Sequence, residues 1–525
     1  MGIMVSRTAS LLCLLLLSFV ALARAEPHQT RNASNIKNDD ATGFGSACAL
    51  IGKAISNASA LSYPLSVQYF SDIAHWASSS TELSACSVEP GTPQDVGSIL
   101  RILGQTRTPF AVKGGGHSTI LGFSSTSGVQ ISMNRFNSVT VDNATSTVAI
   151  GAGLLWDDVY RALDGTGLNV VGGRVPGVGV AGLTLGGGEP LSIQSIGIFW
   201  YNHGSEGYSW KTNQFGLAID NVDSYEMVLP DGRIKVVRPE DEDLWFGLRG
   251  GFNNFGIVTK FVLKAHHQGN VWGGFVIFSS QQFDKINTAI VKFQQVQDKK
   301  ASIIPTYNAF SGSPSLVLLM FYDGPGRPEG IFDDFLAIPN IQSTVRSGSF
   351  LEVFSIFPST NTFGGTRAYF SSVPVLQYSS ALLNVIVNET LFWGAKLAQL
   401  DLGTIASYDI EPFDAGLFTH SPASQPSAYP PDRSRALFPT NLYFGWTNPA
   451  FDGEVANALR ESTRMVRNAA VADGQDVQTA AVYGNYALFG TPIEDVYRNN
   501  VPRLKEIRQR VDPENVMTLA GGFKF

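Results

Sequence analysis

The sequence predicts an α+β protein of two lobes, and two observations carry this prediction. Between Cys86 and Lys264, short β-branched runs alternate with Gly, Asn and Asp, which is typical of short strands joined by tight turns. From about residue 270 the glycines thin out, and strand-like stretches alternate with amphipathic helical ones. This change in pattern favours a second α+β domain, with the chain ends packing back on the first lobe.

The elements of the first lobe follow from local patterns. One β-hairpin is predicted to join Val139–Val141 to Thr147–Ile150, and a second to join Val222–Leu229 to Ile234–Val237 across a Pro-Asp-Gly turn. Trp156–Leu163 has apolar residues at helical spacing. In the second lobe and beyond it, the same spacing predicts helices over Phe283–Gln297, Ala381–Asn388, Val455–Val471 and Val496–Val511.

Composition excludes several classes of protein. Of the 525 residues, 44% are hydrophobic and 15% are charged, which supports large buried cores and argues against a disordered chain. The formal net charge is −7 and the chain contains no Lys/Arg run, so we expect no nucleic-acid partner. His266 and His267 are adjacent and point to different faces, and few cysteines are present, so we expect no metal site.

The first 25 residues resemble a secretory signal peptide. Arg7 precedes the apolar run Leu11–Val20, and Ala23-Arg24-Ala25 has the small-x-small pattern of a cleavage site. The alternative is a short N-terminal anchor. No later segment reaches ~18 uninterrupted apolar residues, so we expect a secreted protein with no membrane partner after cleavage.

An extracellular route agrees with the cysteines and the sequons. Beyond residue 25 only Cys48 and Cys86 remain, and we predict a disulfide between them, with two buried free thiols as the alternative. N-glycans are expected at the sequons of Asn32, Asn57, Asn143 and Asn388.

Two glycine clusters are the central feature of the first lobe. Lys113-Gly114-Gly115-Gly116-His117-Ser118 follows a predicted strand, and glycines there let backbone N–H groups approach an anion such as a pyrophosphate. The second cluster, residues 172–188, contains Gly177-x-Gly179-x-x-Gly182, a superficial match to a dinucleotide fingerprint. Pro176 before it and three glycines at 186–188 after it argue against a Rossmann fold, so an NAD(P)-dependent dehydrogenase is a weaker alternative.

Taken together, these motifs resemble the berberine-bridge-enzyme-like flavoproteins. Besides the glycine clusters, the resemblance includes the segments 215–222, 243–251 and 254–258 and the C-terminal segments 483–486 and 511–516. It implies a two-lobed FAD-binding fold of the vanillyl-alcohol-oxidase type, with the FAD domain split around an α+β substrate domain. It also implies an FAD held by one covalent link to His117, and hydride transfer from a small organic substrate.

The resemblance also assigns the site residues. Tyr486 is the first candidate for the catalytic base and Tyr483 the second, because the matching Tyr-Gly-Asn-Tyr segment returns to the flavin in the family. Glu352, Asp409 and Glu411 are carboxylates without an assignable role. The residues expected to contact FAD are Lys113, Gly114, Gly115, Gly116, His117, Ser118, Pro176, Gly177, Val178, Gly179, Gly182, Gly186, Gly187, Ile257 and Asn485.

The sequence departs from the family pattern at two positions. Many relatives attach the flavin a second time through a cysteine, and Val175 stands at that position here, so only the histidyl link is available. A small valine such as Val178 is associated in the family with access of O2, which favours an oxidase producing hydrogen peroxide over a dehydrogenase.

An insertion of 19 residues, Glu189–Gly207, separates the second glycine cluster from the segment that follows it in relatives. We favour a retained intron as its origin, with a real surface loop as the alternative; sequencing the spliced transcript decides between them. A translated insertion could impair cofactor incorporation, which leaves a non-catalytic secreted glycoprotein as an alternative function.

The expected domain organisation has five parts. They are the signal peptide 1–25, an N-terminal segment 26–80, the FAD-binding domain 81–268, the substrate domain 269–472 and a C-terminal return to the FAD domain over 473–525. The substrate domain carries no recognisable motif, so sugars, alkaloid-like amines and polyketide-like alcohols remain open as substrates.

Overall fold

Short strands and glycine turns build the first lobe, as the sequence pattern predicts. The computed structural model describes residues 43–186, 208–357, 366–422 and 424–525, and the backbone of 192–196 and 199–203. Its strands in this lobe are β1 (Ala60–Ser62), β2 (Cys86–Glu89), β3 (Phe110–Lys113), β4 (Val129–Ser132), β5 (Val139–Asp142), β6 (Thr147–Gly151), β7 (Leu168–Asn169), β8 (Ser192–Ile196), β9 (Phe199–His203), β10 (Val222–Val228), β11 (Ile234–Val237), β12 (Ile257–Lys264) and β13 (His266–His267). The helices are α1 (Gly45–Ala54), α2 (Val67–Ile73), α3 (Pro93–Thr106), α4 (Trp156–Leu163), α5 (Val180–Leu185), α6 (Thr212–Phe215) and α7 (Glu242–Leu248).

Two main sheets form this lobe. The first has the order β1-β2-β4-β3, in which β2, β4 and β3 are parallel. Helix α3 provides the crossover; the Thr92 side chain accepts from the N–H of Asp95 at its start, and Arg107 ends it with φ of +52°. The second sheet has the antiparallel order β11-β10-β12-β6-β5 and contains both predicted hairpins.

The second lobe is an antiparallel sheet with packed helices. Its strands are β14 (Val271–Ser279), β15 (Ala301–Phe310), β16 (Ser313–Tyr322), β17 (Gln342–Ser343), β18 (Arg346–Gly348), β19 (Arg367–Val375), β20 (Ile405–Asp409) and β21 (Phe438–Trp446). Its helices are α8 (Phe283–Phe293), α9 (Asp333–Leu336), α10 (Phe350–Phe354), α11 (Ser380–Leu397) and α12 (Asp452–Ala472). The sheet order is β17-β14-β16-β15-β20-β21-β19, and β18 also pairs with β14.

Helices α8, α11 and α12 cover one face of this sheet. The Tyr408 hydroxyl lies 2.7 Å from the Ser462 hydroxyl of α12, and Tyr307 of β15 donates to the Asn287 side chain of α8. Because alternate residues of a strand point to opposite faces, Ser407 and Asn308 belong to the other face. That second face contains the polar side chains on which the site depends.

The chain returns to the first lobe at its C-terminal end. After α13 (Ile493–Tyr497) and α14 (Val501–Val511), Ala520 pairs in parallel with Phe110 of β3, beside the parallel sheet. The predicted helix Val496–Val511 is wrong in its first turn, because Arg498 has φ of +46° and interrupts the helix. The predicted Ala381–Asn388 helix is longer, since α11 continues to Leu397.

The predicted disulfide between Cys48 and Cys86 is present and joins α1 to β2. Of the predicted glycosylation sites, Asn57, Asn143 and Asn388 are exposed, and Asn32 lies outside the described residues, as does the predicted signal peptide. β8 and β9 of the insertion pair in antiparallel orientation. Within the described part of the chain, no helix has the length and apolar character needed to cross a membrane.

Replacing Cys48 and Cys86 together by serine should lower the free energy of unfolding by about 2–4 kcal/mol, because a link across a separation of 38 residues restricts the unfolded chain. Thermal unfolding of the double variant measures this loss. Wild-type protein with its disulfide reduced is the control and should unfold at the same lowered temperature. An unchanged unfolding temperature in both samples would contradict the prediction.

Candidate active site

The two glycine clusters meet at backbone distance. A Cβ added to Gly115 would lie 2.7 Å from the Cα of Gly179, and one added to Gly179 would lie 2.6 Å from the amide nitrogen of Gly115. Real side chains do not approach this closely, so neither position accepts a residue other than glycine without a shift of the backbone. Two sequence segments 64 residues apart therefore come together only because both lack side chains at the contact.

Each cluster is fixed from outside. The Lys113 ammonium donates to the carbonyl oxygens of Ser71 and Ala74, and burial lowers its pKa to about 8. This side chain fastens the first loop to the C-terminal end of α2, so it does not point towards a ligand of that loop. The second loop is held at the start of α4, where the N–H of Gly177 donates to Asp157 and the carbonyl of Val178 accepts from Trp156.

A cleft opens beside the first loop. Its walls include Gly114, Gly115, Gly116, His117, Ser118, Gly182 and Ile257 of the predicted contact set, and also Phe252 and Asn253. Gly187 lies outside the described residues. The predicted residues Pro176, Gly177, Val178 and Gly179 belong to the loop behind the first cluster, and Gly186 lies at the end of α5.

The C-terminal segment reaches the same place. A Cβ on Gly186 would lie 2.4 Å from the Oδ1 of Asn485, so the predicted Asn485 is directly beside the second cluster. Among the described residues, this buried Oδ1 and that of Asn253 have no hydrogen-bond partner. The open backbone of the first loop and the unpaired oxygen of Asn253 line the cleft, and this polar lining fits a bound dinucleotide such as FAD.

His117 is buried and stacked on an aromatic ring. Its imidazole is 2% exposed and lies 4.8 Å from the Trp76 ring, with an angle of 12° between the planes. The backbone N–H of Trp76 donates to Gly116, and the Ser80 hydroxyl donates to Ser118. The segment before β2 therefore holds the histidine loop in place. No sequence motif indicated Trp76 as part of the site.

The same segment contacts the second lobe. The Ser79 hydroxyl donates to the carbonyl of Ala368 in β19, and the N–H of Ala368 donates back to Ser79. The Trp76 ring also lies 5.7 Å from Phe370 and 5.9 Å from Tyr443. His117 is thereby connected through one tryptophan to the polar face of the substrate sheet.

Tyr486 lies in a buried ionic network. Its hydroxyl donates to Oε1 of Glu411 at 3.0 Å, and Oε2 of Glu411 accepts from Arg174 at 2.7 Å. Both members of the ion pair are at most 1% exposed. The guanidinium stabilises the negative charge of Glu411, and the ionised carboxylate is the hydrogen-bond acceptor for the Tyr486 hydroxyl. Tyr486 is also close to Phe370, at 6.3 Å between the rings.

The other candidates have different surroundings. The Tyr483 hydroxyl accepts from the Asn485 amide, so it helps to orient a predicted cofactor contact. Glu352 caps α10 with Ser349, and Asp409 accepts from Asn441. The sequence analysis assigned no role to Glu411. The spacing of two residues between Ser407, Asp409 and Glu411 could have indicated that these polar side chains lie on one face of a strand.

The geometry around Gly177 argues against the Rossmann alternative. No strand immediately precedes Gly177, and α5 after it has six residues, so the Rossmann geometry is missing. Over the described ranges, no group of three His, Cys, Asp or Glu side chains could hold a metal ion.

Comparisons with known proteins agree with this geometry. Residues 84–195 match the family model of an FAD binding domain. An uncharacterized FAD-linked oxidoreductase of Arthroderma benhamiae is 36% identical over 53% of this chain, and the match spans 52% of that relative, about half its length. The FAD-dependent monooxygenase sdcF of Emericella nidulans is 29% identical over 91% of this chain and 98% of its own.

Solved structures show the same fold. The Physcomitrella patens BBE-like 1 protein matches with a TM-score of 0.70 at 17% identity, over 90% of this chain and 97% of that one. The glucooligosaccharide oxidase of Acremonium strictum, described with a 6-S-cysteinyl, 8α-N1-histidyl FAD, matches with a TM-score of 0.69 at 17% identity over the same shares.

The FAD binding domain match, the FAD-dependent relatives and the shared fold together indicate a two-lobed FAD-dependent oxidoreductase. The chain is an FAD-linked oxidoreductase with the berberine-bridge-enzyme-like form of the vanillyl-alcohol-oxidase type fold. This confirms the family resemblance, the fold class and the enzyme class predicted from the sequence.

Replacing Arg174 by methionine should lower the free energy of unfolding by about 3–5 kcal/mol, because Glu411 would keep a buried charge without its partner. Adding Glu411→Gln should recover part of this loss, since the uncompensated charge is then removed. Chemical denaturation of the two single variants and the double variant measures the coupling. Strictly additive losses would show that the two side chains do not interact.

Proposed function

We propose that this protein is a secreted oxidoreductase that oxidises an organic alcohol or amine, with FAD held by a single covalent link to His117 and O2 as the electron acceptor. The observation that carries the proposal is the buried Tyr486–Glu411–Arg174 network, at the far end of an aromatic path from His117. It supplies a proton acceptor where a substrate bound between the lobes would lie.

The residues of this chain divide the reaction between them. When bound, FAD supplies the hydride acceptor. Tyr486 takes the proton of the substrate hydroxyl or amine while its own proton moves to Glu411, and Arg174 stabilises Glu411 before that transfer. The packed aromatic rings of Trp76, Phe370 and Tyr443 keep water away from this region.

Three observations support attachment through His117. The imidazole is buried at the edge of the glycine loop, and stacking on Trp76 restricts its orientation. Val175 is a buried valine, so the chain offers no cysteine at that position for a second link. The histidyl FAD of the Acremonium strictum oxidase is a precedent on the same fold. Secretion rests on the predicted signal peptide, and the Cys48–Cys86 disulfide supports it.

Replacing His117 by alanine should make the flavin dissociable. After acid precipitation, the yellow colour should stay with the wild-type polypeptide and pass into the supernatant with His117→Ala. The visible absorbance of pellet and supernatant measures both fractions and needs no substrate. Loss of the wild-type flavin to the supernatant would contradict the covalent link, and a colourless purified protein would favour the non-catalytic alternative.

Replacing Tyr486 by phenylalanine should slow flavin reduction by about 10²–10⁴-fold, because the variant lacks the proton acceptor. Its flavin content should not change, since this hydroxyl contacts Glu411. Anaerobic stopped-flow absorbance measures the reduction. Tyr483→Phe tests the second candidate and should retain most of the rate. A larger loss in Tyr483→Phe than in Tyr486→Phe would reverse the assignment.

Replacing Val178 by leucine should slow the reaction of the reduced enzyme with O2 by about tenfold or more, because one added methylene in a packed interior is felt sterically. Val178 is fully buried in the second glycine loop. The rate of flavin reduction by substrate should change little. Stopped-flow mixing of the anaerobically reduced enzyme with O2 measures the effect; equal rates in variant and wild type would remove the preference for an oxidase.

A further inference from the structure

One face of the substrate sheet carries two complete cross-strand rows of polar and aromatic side chains. In the first row, Asn308 of β15 pairs with Ser407 of β20, which pairs with Tyr443 of β21, which pairs with Phe370 of β19. Directly paired residues share a face, so these side chains lie next to one another.

The second row lies one step along the same strands. It contains Thr306, Asp409, Asn441 and Ser372, again paired in that order. The same spacing of two residues continues beyond the end of β20 to Glu411, which follows Asp409 by two positions. In the opposite direction the next row contains Ile405 and Ala368, which pack against Trp76. The two polar rows therefore lie between the His117 end and the Tyr486 end of the site.

These rows contain more polar atoms than the protein satisfies. Five buried atoms in them have no hydrogen-bond partner among the described residues: Asn308 Oδ1, Ser407 Oγ, Tyr443 hydroxyl, Ser372 Oγ and Asn441 Oδ1. Each such group ordinarily destabilises the folded protein by about 1–3 kcal/mol. A set of five on one face of one sheet is therefore evidence for a ligand that supplies their partners.

The chemistry of the five atoms restricts that ligand. The two amide oxygens accept hydrogen bonds only, whereas the three hydroxyls both donate and accept. Burial raises the pKa of the Tyr443 hydroxyl, so it stays protonated and can donate. A ligand with only carbonyl oxygens would leave the amide oxygens without a donor. Hydroxyl groups both donate and accept, and they fit the whole set. The rings of Phe370 and Tyr443 provide an apolar surface beside it.

We propose that this polar face, made of Asn308, Ser407, Tyr443, Asn441 and Ser372, recognises a substrate that carries several hydroxyl groups, with the hydroxyl to be oxidised at Tyr486. The proposal rests on the proposed function, since it names the substrate class of the same site. It selects among the classes left open by the sequence: a polyhydroxylated alcohol offers partners to all five atoms, whereas an alcohol with a single hydroxyl does not.

The test uses a pair of neighbouring serines. Ser372→Ala removes an unpaired hydroxyl from the polar face, and Ser371→Ala removes the adjacent buried serine on the opposite face of β19. Ser407→Ala is a second variant of the polar face. The probes are cellobiose and 3,4-dihydroxybenzyl alcohol, which carry several hydroxyls, and benzyl alcohol, which carries one. The shift of the visible flavin spectrum on titration of the purified holoenzyme measures binding.

We expect one or both polyhydroxylated probes to bind the wild type and Ser371→Ala equally, and benzyl alcohol to bind far more weakly. Ser372→Ala and Ser407→Ala should each raise the dissociation constant by about tenfold. Without ligand, both variants should unfold at or above the wild-type temperature, because each removes an unsatisfied buried group. This second measurement does not depend on the choice of probe. The probe that binds more tightly distinguishes a sugar from a hydroxylated aromatic.

Two outcomes would overturn the proposal. One is tighter binding of benzyl alcohol than of either polyhydroxylated probe. The other is that Ser372→Ala and Ser407→Ala match Ser371→Ala in affinity and lower the unfolding temperature, which would show that the hydroxyls are satisfied within the protein. Failure of the proposed function is distinct from both, because it would appear as a protein without bound flavin or with flavin that no substrate bleaches.

Discussion

The contact between Gly115 and Gly179 is the constraint on which the rest of the site depends. Because a Cβ on either residue would meet the backbone of the other at less than 3 Å, the two loops can touch only as bare main chain. This contact leaves the first loop open towards the cleft. Lys113 restrains the first loop, and Asp157 and Trp156 restrain the second. These hydrogen bonds fix the loops in place of side-chain packing, which glycine residues cannot provide.

The segment around Trp76 connects the cofactor loop of the first lobe to the sheet of the second lobe. It bonds to Gly116 and Ser118 of the cofactor loop and to Ala368 of the substrate sheet. A displacement of β19 would therefore be transmitted to the ring that stacks on His117. The Cys48–Cys86 disulfide fixes the start of this N-terminal region to β2, so a segment without recognisable motifs supports both the cofactor loop and the sheet.

Local features of the fold could be predicted from the sequence, whereas contacts between residues far apart in the chain could not. Both hairpins, the glycine loops and the disulfide follow from residues whose conformational preferences act over a few positions or from a count of cysteines. The partner of Glu411 lies 237 residues away at Arg174, and no local pattern encodes that distance. Each polar row, such as the one that contains Asn308 and Tyr443, consists of one residue from each of four strands. The rows can therefore be recognised only when the strand order is known. The break at Arg498 was missed because the apolar spacing continues through it.

Two buried tyrosines of the site show how the surroundings divide recognition from chemistry. Tyr443 lies in a polar row without a carboxylate to take its proton, and burial raises its pKa, so it can offer a hydrogen bond but cannot act as a base. Tyr486 lies at the end of the same face, where Glu411 accepts from its hydroxyl and Arg174 balances the charge. The two tyrosines therefore have different roles because only Tyr486 contacts a carboxylate. That carboxylate, Glu411, continues the alternation of Ser407 and Asp409 along the chain. The protein keeps the unpaired groups beside that carboxylate at a cost in stability, which is the expected arrangement when a ligand, and not the fold, completes their hydrogen bonds.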